Sequence, residues 1–272
     1  MIVEKRVWNI SQVHNMRITD GIVVGDEGCI YKVLANEVQE LFAYAEEKKI
    51  PVRYLTPFVP DKFVDILYER ICKFADRVEL KVVFNDYGLL HRCKNLIAEG
   101  KIIPVLGRIL TRSIIDCTWA DKLLQNEEPE LAKQVLGYSF LHDHKLELLQ
   151  EYNIKEMEIN IPAIEPIRNL DLKDVKIIIH KQESIVSVGR VCFAARYASV
   201  EIPDCLRTDI CNNKIKFSLL KKWKRNTSTL LEAEEEYKKY YEDMYLKGNI
   251  VYREINEEEF QKMLNQVAGY VD

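Results

Sequence analysis

The chain has 272 residues, 47% of them hydrophobic and 30% charged, with a formal net charge of -4. That is enough apolar material for one sizeable core, and the length suits a single α/β barrel. A net negative balance excludes wholesale electrostatic wrapping of nucleic acid and leaves open only a local basic patch. The N-terminal MIVEKRVWNI lacks the apolar core of a secretory signal, and nowhere do about 18 apolar residues run together, so the expectation is a cytoplasmic protein with no membrane span. Seven cysteines, an odd number, argue in a reducing compartment against a disulfide framework and for metal-binding, catalytic or simply buried thiols.

In chain order, residues 1–16 read as a polar lead-in, and RITDGIVVGDEGC as a short apolar strand ending in a glycine-rich turn that carries Cys29. A helix follows with Leu34, Val38, Leu41, Phe42 and Ala45 on one face. PVRYLTPF is the next strand, and DKFVDILYERICKFAD an amphipathic helix that places Cys72 on an apolar stripe with Phe63, Ile66, Leu67 and Ile71, where a thiol packs as a small hydrophobe. ELKVVFNDYGLLHRC gives a third strand, a polar turn and a helix start; KIIPVLGRIL gives a fourth strand. Strand, polar turn and amphipathic helix recurring at one βαβ length predict a parallel sheet. Arg112 to Gln150 reads as mostly helical around a charged loop, QNEEPELAK, and EMEINIP, VKIIIHK and SIVSVGRVCF as three more strands. Beyond Cys211, the basic cluster Lys221 to Arg225 with Trp223 is followed by a charged helix, the strand GNIVYREI and a last helix, EEEFQKMLNQVAGYV. The expected fold is an incomplete or distorted (β/α) TIM-like barrel over residues 1–272, with 212–272 as a helical and short-strand extension packed on it.

In such a barrel the active groups sit at the C-terminal strand ends, and closure sets the last strand beside the first. Cys29 follows the first predicted strand, Cys192 ends the last, and Cys205 and Cys211 lie on a loop able to fold back over the same face. Four thiolates there suit a tetrahedral metal or an iron-sulfur cluster. The alternative is a chance grouping in a thiol-rich chain, since there is no CxxC pair.

The turn VVGDEGC, the segment VFNDYGLL, the run GRVCFAARYASVEIPDC and the strand YLKGNIVY, in that order, resemble the peptidase U32, or collagenase-like, family, and within it the short, UbiV-like members. The resemblance implies an incomplete barrel, a 4Fe-4S cluster on Cys29, Cys192, Cys205 and Cys211, and work in a complex with a longer family member. Cys211 departs most from the family spacing, and Ile30, Tyr31 and Lys32 stand where a lysine-arginine pair often follows the first cysteine. The activities implied are oxygen-independent hydroxylation of RNA bases or quinone precursors, or proteolysis. Three readings follow: a subunit of an oxygen-independent hydroxylation or related modification system, a U32-type peptidase or hydrolase, and a non-catalytic cluster-bearing partner.

Other residues have two readings each. Asn85 and Asp86 either orient substrate and move protons or cap the helix before Gly88. Arg108 either forks a substrate carboxylate or phosphate or pairs with a barrel carboxylate. Arg196 is expected to donate to, or balance, the charge of the cluster. Glu158 and Asn160 share one strand face, with Glu165 just beyond. His180 ends a strand, His91 flanks Arg92 early in a helix, and His142 and His144 read as surface histidines. Cys72, Cys93 and Cys117 read as spare thiols. Lys221 to Arg225 reads as a solvated helix end or a contact for RNA or an acidic partner. No HExxH or GxSxG motif supports a peptidase.

Overall fold

The computed structural model describes residues 1–14, 20–111, 143–161, 174–207, 214–216 and 244–272. Eight parallel strands close a barrel. In chain order they are β1 (Ile2–Arg6), β2 (Gly21–Gly25), β3 (Val52–Leu55), β4 (Leu80–Phe84), β5 (Ile103–Leu106), β6 (Glu156–Ile159), β7 (Lys176–His180) and, after an intervening sheet, β12 (Gly269–Val271). That sheet, in order β8-β11-β10-β9, is made of β8 (Glu183–Val188), β9 (Ile215–Lys216), β10 (Met244–Lys247) and β11 (Ile250–Glu254), all antiparallel. The helices are α1 (Ile10–His14), α2 (Ile30–Val33), α3 (Asn36–Lys48), α4 (Val64–Ala75), α5 (Tyr87–Arg92), α6 (Lys94–Ala98), α7 (Asp143–Glu151), α8 (Phe193–Tyr197) and α9 (Glu257–Leu264).

The TIM-like barrel expected from the βα rhythm is present, and its strand ring is closed. Three details differ from the expectation. The polar lead-in is a stave: β1 pairs with β2 on one side and β12 on the other. The last predicted helix stops at Leu264, and the three residues Gly269–Val271 form the stave that closes the ring between β1 and β7. β8 is not a barrel strand. Only Lys181 and Gln182 separate it from β7, and a parallel neighbour needs a crossover of a dozen or more residues, so β8 leaves the barrel for the antiparallel sheet. The expected helices over 112–142 and 217–243 lie outside the described residues.

Two apolar layers hold the barrel. Val38, Leu41, Phe42 and Ala45 of α3 and Leu67, Ile71 and Phe74 of α4 are buried against the outward faces of the staves. Ile66, expected on the α4 stripe, is 50% exposed. Inside the ring Val23, Leu55, Val83, Val105, Ile178 and Val271 form a separate cluster, one residue from each of six staves, as the two-residue strand period requires.

Toward the strands' N-termini the interior is ionic. Arg53, 1% exposed, donates to Glu4, to Glu156 at 2.8 Å and to Glu158 at 3.4 Å, and Lys81 meets Glu156 at 3.0 Å. The carboxylates keep Arg53 charged despite its burial, raising its pKa. Removing one partner from a buried ion network strands the others, at about 3–5 kcal/mol. Arg53→Met should therefore lower stability by about 3–5 kcal/mol in urea unfolding. A loss no larger than that of a surface control such as Lys48→Met would mean that the network does not hold the barrel floor.

Candidate functional site

The turn VVGDEGC assembles one wall of the site, residue by residue. Gly25 has φ +103°, and a Cβ there would lie 2.3 Å from the Leu55 carbonyl oxygen, so only glycine fits. Asp26 closes the turn by accepting from the Gly28 amide at 2.8 Å. Glu27 turns inward and is fully buried. Gly28 lies against the β10–β11 hairpin, where a Cβ would come within 2.5 Å of Asn249 Oδ1. Cys29 occupies the N-cap position of α2.

The second wall comes from the antiparallel sheet. Gly248, at φ +64°, and Asn249 make the two-residue turn between β10 and β11. That turn grips the loop after β8: Asn249 Nδ2 donates to the Gly189 carbonyl at 2.7 Å, Gly189 N donates to the Asn249 carbonyl at 2.8 Å, and Ala194 N donates to the Gly248 carbonyl at 2.9 Å. Cys192 follows and caps α8, its Sγ accepting from Ala195 N at 3.4 Å. Cys205 is buried at 1% exposure against Ala195, with Cys192 and Val200 packed on the same cluster.

Cys29, Cys192 and Cys205 line one cavity of about 620 Å³. They share this lining by a route other than the one expected. Cys192 does not end a barrel strand; the hairpin turn at Gly248 and Asn249 is bonded to its loop and lies against Gly28 of the other. Cys211 lies outside the described residues, as do Cys117, His142, Glu165, Trp223 and the basic cluster 221–225. Of the other cysteines, Cys72 packs partly buried on the outer core and Cys93 is fully buried there, its thiol pushed up to about 12 by desolvation and then by Cys72. Neither lines the cavity.

Arg196 is exposed and does not line this cavity: α8 buries Ala194 and Ala195, which turns the next residue to solvent. Arg190 lines it instead, together with Lys32, Lys62 and Lys247. Asn249 and Tyr252, from the strand that resembled the family's closing segment, line it too. The side-chain Oδ1 of Asn249 is a buried acceptor without a hydrogen-bond partner among the described residues. Burial, followed by the nearby Glu183 and Glu27, raises the Tyr252 phenol well above its ordinary value, so it stays protonated. These residues escaped sequence reasoning because lysines, tyrosines and asparagines in a hairpin carry no spacing signal of their own.

Asn85, Asp86 and Arg108 hold the mouth together. Asn85 donates to the Thr56 carbonyl at 2.9 Å and accepts from Ile109 N at 3.0 Å, and a Cβ on Gly107 would lie 2.2 Å from its Oδ1. Asp86 caps α5, accepting from Leu89 N at 2.8 Å. Arg108 is fully buried and grips Glu27 with Nε and Nη2, both at 2.7 Å. Its Nη1 donates to the Glu183 carbonyl. Of the two readings of each residue, the geometry displays capping for Asp86 and pairing with a barrel carboxylate for Arg108.

One further grouping lies deeper. Glu27, Glu158 and His180, all buried, bring one ligand atom each within 4.8 Å of one another. His180 Nε2 lies 2.9 Å from Glu158 Oε2. Both carboxylates are already engaged by guanidinium groups, Glu27 by Arg108 and Glu158 by Arg53. This donor set reads as a buried, charge-compensated group. Comparison with family models, curated proteins and solved structures finds no match to the chain, and no helix among the described residues is long and apolar enough to cross a membrane.

Burial opposes the charge on Glu27, but Arg108 outweighs it and holds the carboxyl at about 2 against an ordinary 4.5. A carboxyl depressed in the folded state stabilises above its unfolded value, and that stability is lost as pH falls through the folded one. Arg108→Met should cost about 3–5 kcal/mol at neutral pH. The gap from the parent should narrow as pH falls from 4.5 toward 2, the two values of this carboxyl. Acid-dependent urea unfolding checks this, and a gap independent of pH would contradict the assignment.

Proposed function

We propose that the chain is an iron-sulfur protein of the U32 type, acting as a subunit of an oxygen-independent hydroxylation or related modification system. The observation that carries this reading is that three of the four cysteines singled out, 29, 192 and 205, line one cavity at the strand-end face. The residues fit the group on further grounds. Cysteine sulfur is the usual protein donor to such clusters. Lys32, Lys62, Arg190 and Lys247 line the same cavity and would offset the negative charge of thiolates and cluster. Cys29, Cys192 and Cys205 would hold the cluster, with Cys211 as the fourth ligand implied by the resemblance. A bound 4Fe-4S cluster supplies one-electron redox chemistry.

The chain's own residues would do the rest. Tyr252, kept protonated, lines the cavity and would offer a hydroxyl donor there. Phe58 and Phe63, with Ile202, give the cavity an apolar side that would orient an organic substrate and exclude water. A partner subunit is supported by the surface around Cys192: Val191, Phe193, Tyr197 and Ile202 are 54%, 38%, 74% and 44% exposed within one short segment. A longer protein of the same family is the partner this reading names.

The test is purification without oxygen, with iron and acid-labile sulfide counted and the visible spectrum recorded. The expected result is about four of each per chain and a broad brown absorption. Serine at Cys29, Cys192, Cys205 or Cys211 should each remove most of the iron, whereas serine at Cys72, Cys93 or Cys117 should leave it. A colourless, iron-free protein would return the reading to a hydrolase of the same barrel, and loss of iron on replacing Cys93 would break the ligand set.

A further inference from the structure

A second cavity, of about 360 Å³, opens at the same end of the barrel. Arg6 from the end of β1, His180 from the end of β7 and Val271 from the end of β12 line it on the barrel side, and Lys214 and Lys247 on the side of the antiparallel sheet. β7 and β12 are the seventh and eighth staves in chain order. The loops after those two strands frequently build an anion site in barrels of this class.

Among the described residues Lys5, Arg6, Lys214 and Lys247 line the cavity against two carboxylates, Glu183 and Asp272. Lys5 is paired with Asp272, Arg6 Nη1 with Glu183 at 3.2 Å and Glu27 at 3.8 Å, and Lys214 with Glu254 at 3.1 Å. Lys247 makes no ion pair among the described residues. Its ammonium lies 4.5 Å from the centre of the Trp8 ring, which also carries Arg6 at 4.4 Å and Lys32 at 5.1 Å. Three cations on one indole are attracted to its face but repel one another. Burial, then Arg6, pulls the Lys247 ammonium below its ordinary pKa. Arg6 Nε is a buried donor with no partner among the described residues. Clustered cations, one of them outside any ion pair among the described residues and all held before any ligand arrives, are the complement of an oxyanion.

We propose that this cavity is an oxyanion subsite that holds the phosphate or carboxylate of a small-molecule substrate. Lys247 lines both cavities, so the body of that substrate extends past Lys247 into the cysteine-lined space. The anion takes the ammonium of Lys247, and Gln12 and Gln182, which also line the cavity, supply amide donors. The subsite is built from the protein frame and does not depend on what the cysteines hold.

Trp8 is the reporter. The chain has three tryptophans, so the full-length chain carrying Trp119→Phe and Trp223→Phe emits from Trp8 alone. Inorganic phosphate and acetate are titrated separately at ionic strength held constant with chloride, with and without iron. The expected result is a saturable change in Trp8 emission with at least one of the two, weakened about tenfold or more by Lys247→Met, as loss of one charge-assisted hydrogen bond requires. Saturation by phosphate alone assigns a phosphorylated substrate, and by acetate alone a carboxylate. A response to both anions no different from chloride overturns the subsite, as does undiminished binding by a folded Lys247→Met chain. That failure beside a normal iron and sulfide count would count against the subsite and leave the cluster reading standing.

Discussion

The fork between Arg108 and Glu27 is the interaction on which the rest of the mouth depends. It joins three segments far apart in the chain: the loop after β2, the end of β5, and the start of β8 through the Glu183 carbonyl. Two fully buried, opposite charges are stable only as a pair with every donor satisfied. The fork therefore fixes where the Cys29 loop leaves the barrel and where the antiparallel sheet begins. Glu183 extends the knot, accepting from Tyr245 and pairing with Arg6. The apolar layers would tolerate small shifts, but this arrangement would not.

The antiparallel sheet is an insertion between the seventh and eighth staves, and its place explains the site. Because the chain leaves β7 at its C-terminal end and returns to form β12, everything between is delivered to the face where strand-end loops gather. The β10–β11 turn then acts as a clamp, with Gly28 against Asn249 on one side and Gly189 and Ala194 bonded to it on the other. The loops bearing Cys29 and Cys192 both lie against one short hairpin. A cavity built this way keeps its dimensions as long as the hairpin is formed, which suits the fixed geometry that a cluster or a substrate needs.

Much of this was legible in residues, and the misses have physical causes. VVGDEGC announced a turn after a strand, and Gly25, Asp26, Glu27 and Gly28 each have a distinct place in it. The α3 and α4 stripes were readable from spacing, apart from Leu34, which caps the separate helix α2, and Ile66. IVEKR was misread because its alternate charged residues, Glu4 and Arg6, face an ionic interior, so polarity marked the core and not the surface. GYV was hidden because three residues carry too little pattern, and they follow α9 without a strong break. β8 looked like a barrel strand by composition; only the two-residue link to β7 excluded it. Arg196 had the right sequence distance from Cys192 and the wrong face, whereas Arg190, before the cysteine, reaches the cavity.

The central claim is that metal at this mouth is held by cysteine sulfur and not by the deeper Glu27, Glu158 and His180 grouping. Iron K-edge X-ray absorption of the anaerobically purified chain tests it most directly. The account predicts a first shell of sulfur around iron with neighbouring iron at short range, both lost when Cys192 is replaced by serine. A first shell of oxygen and nitrogen, unchanged by that replacement, would contradict it.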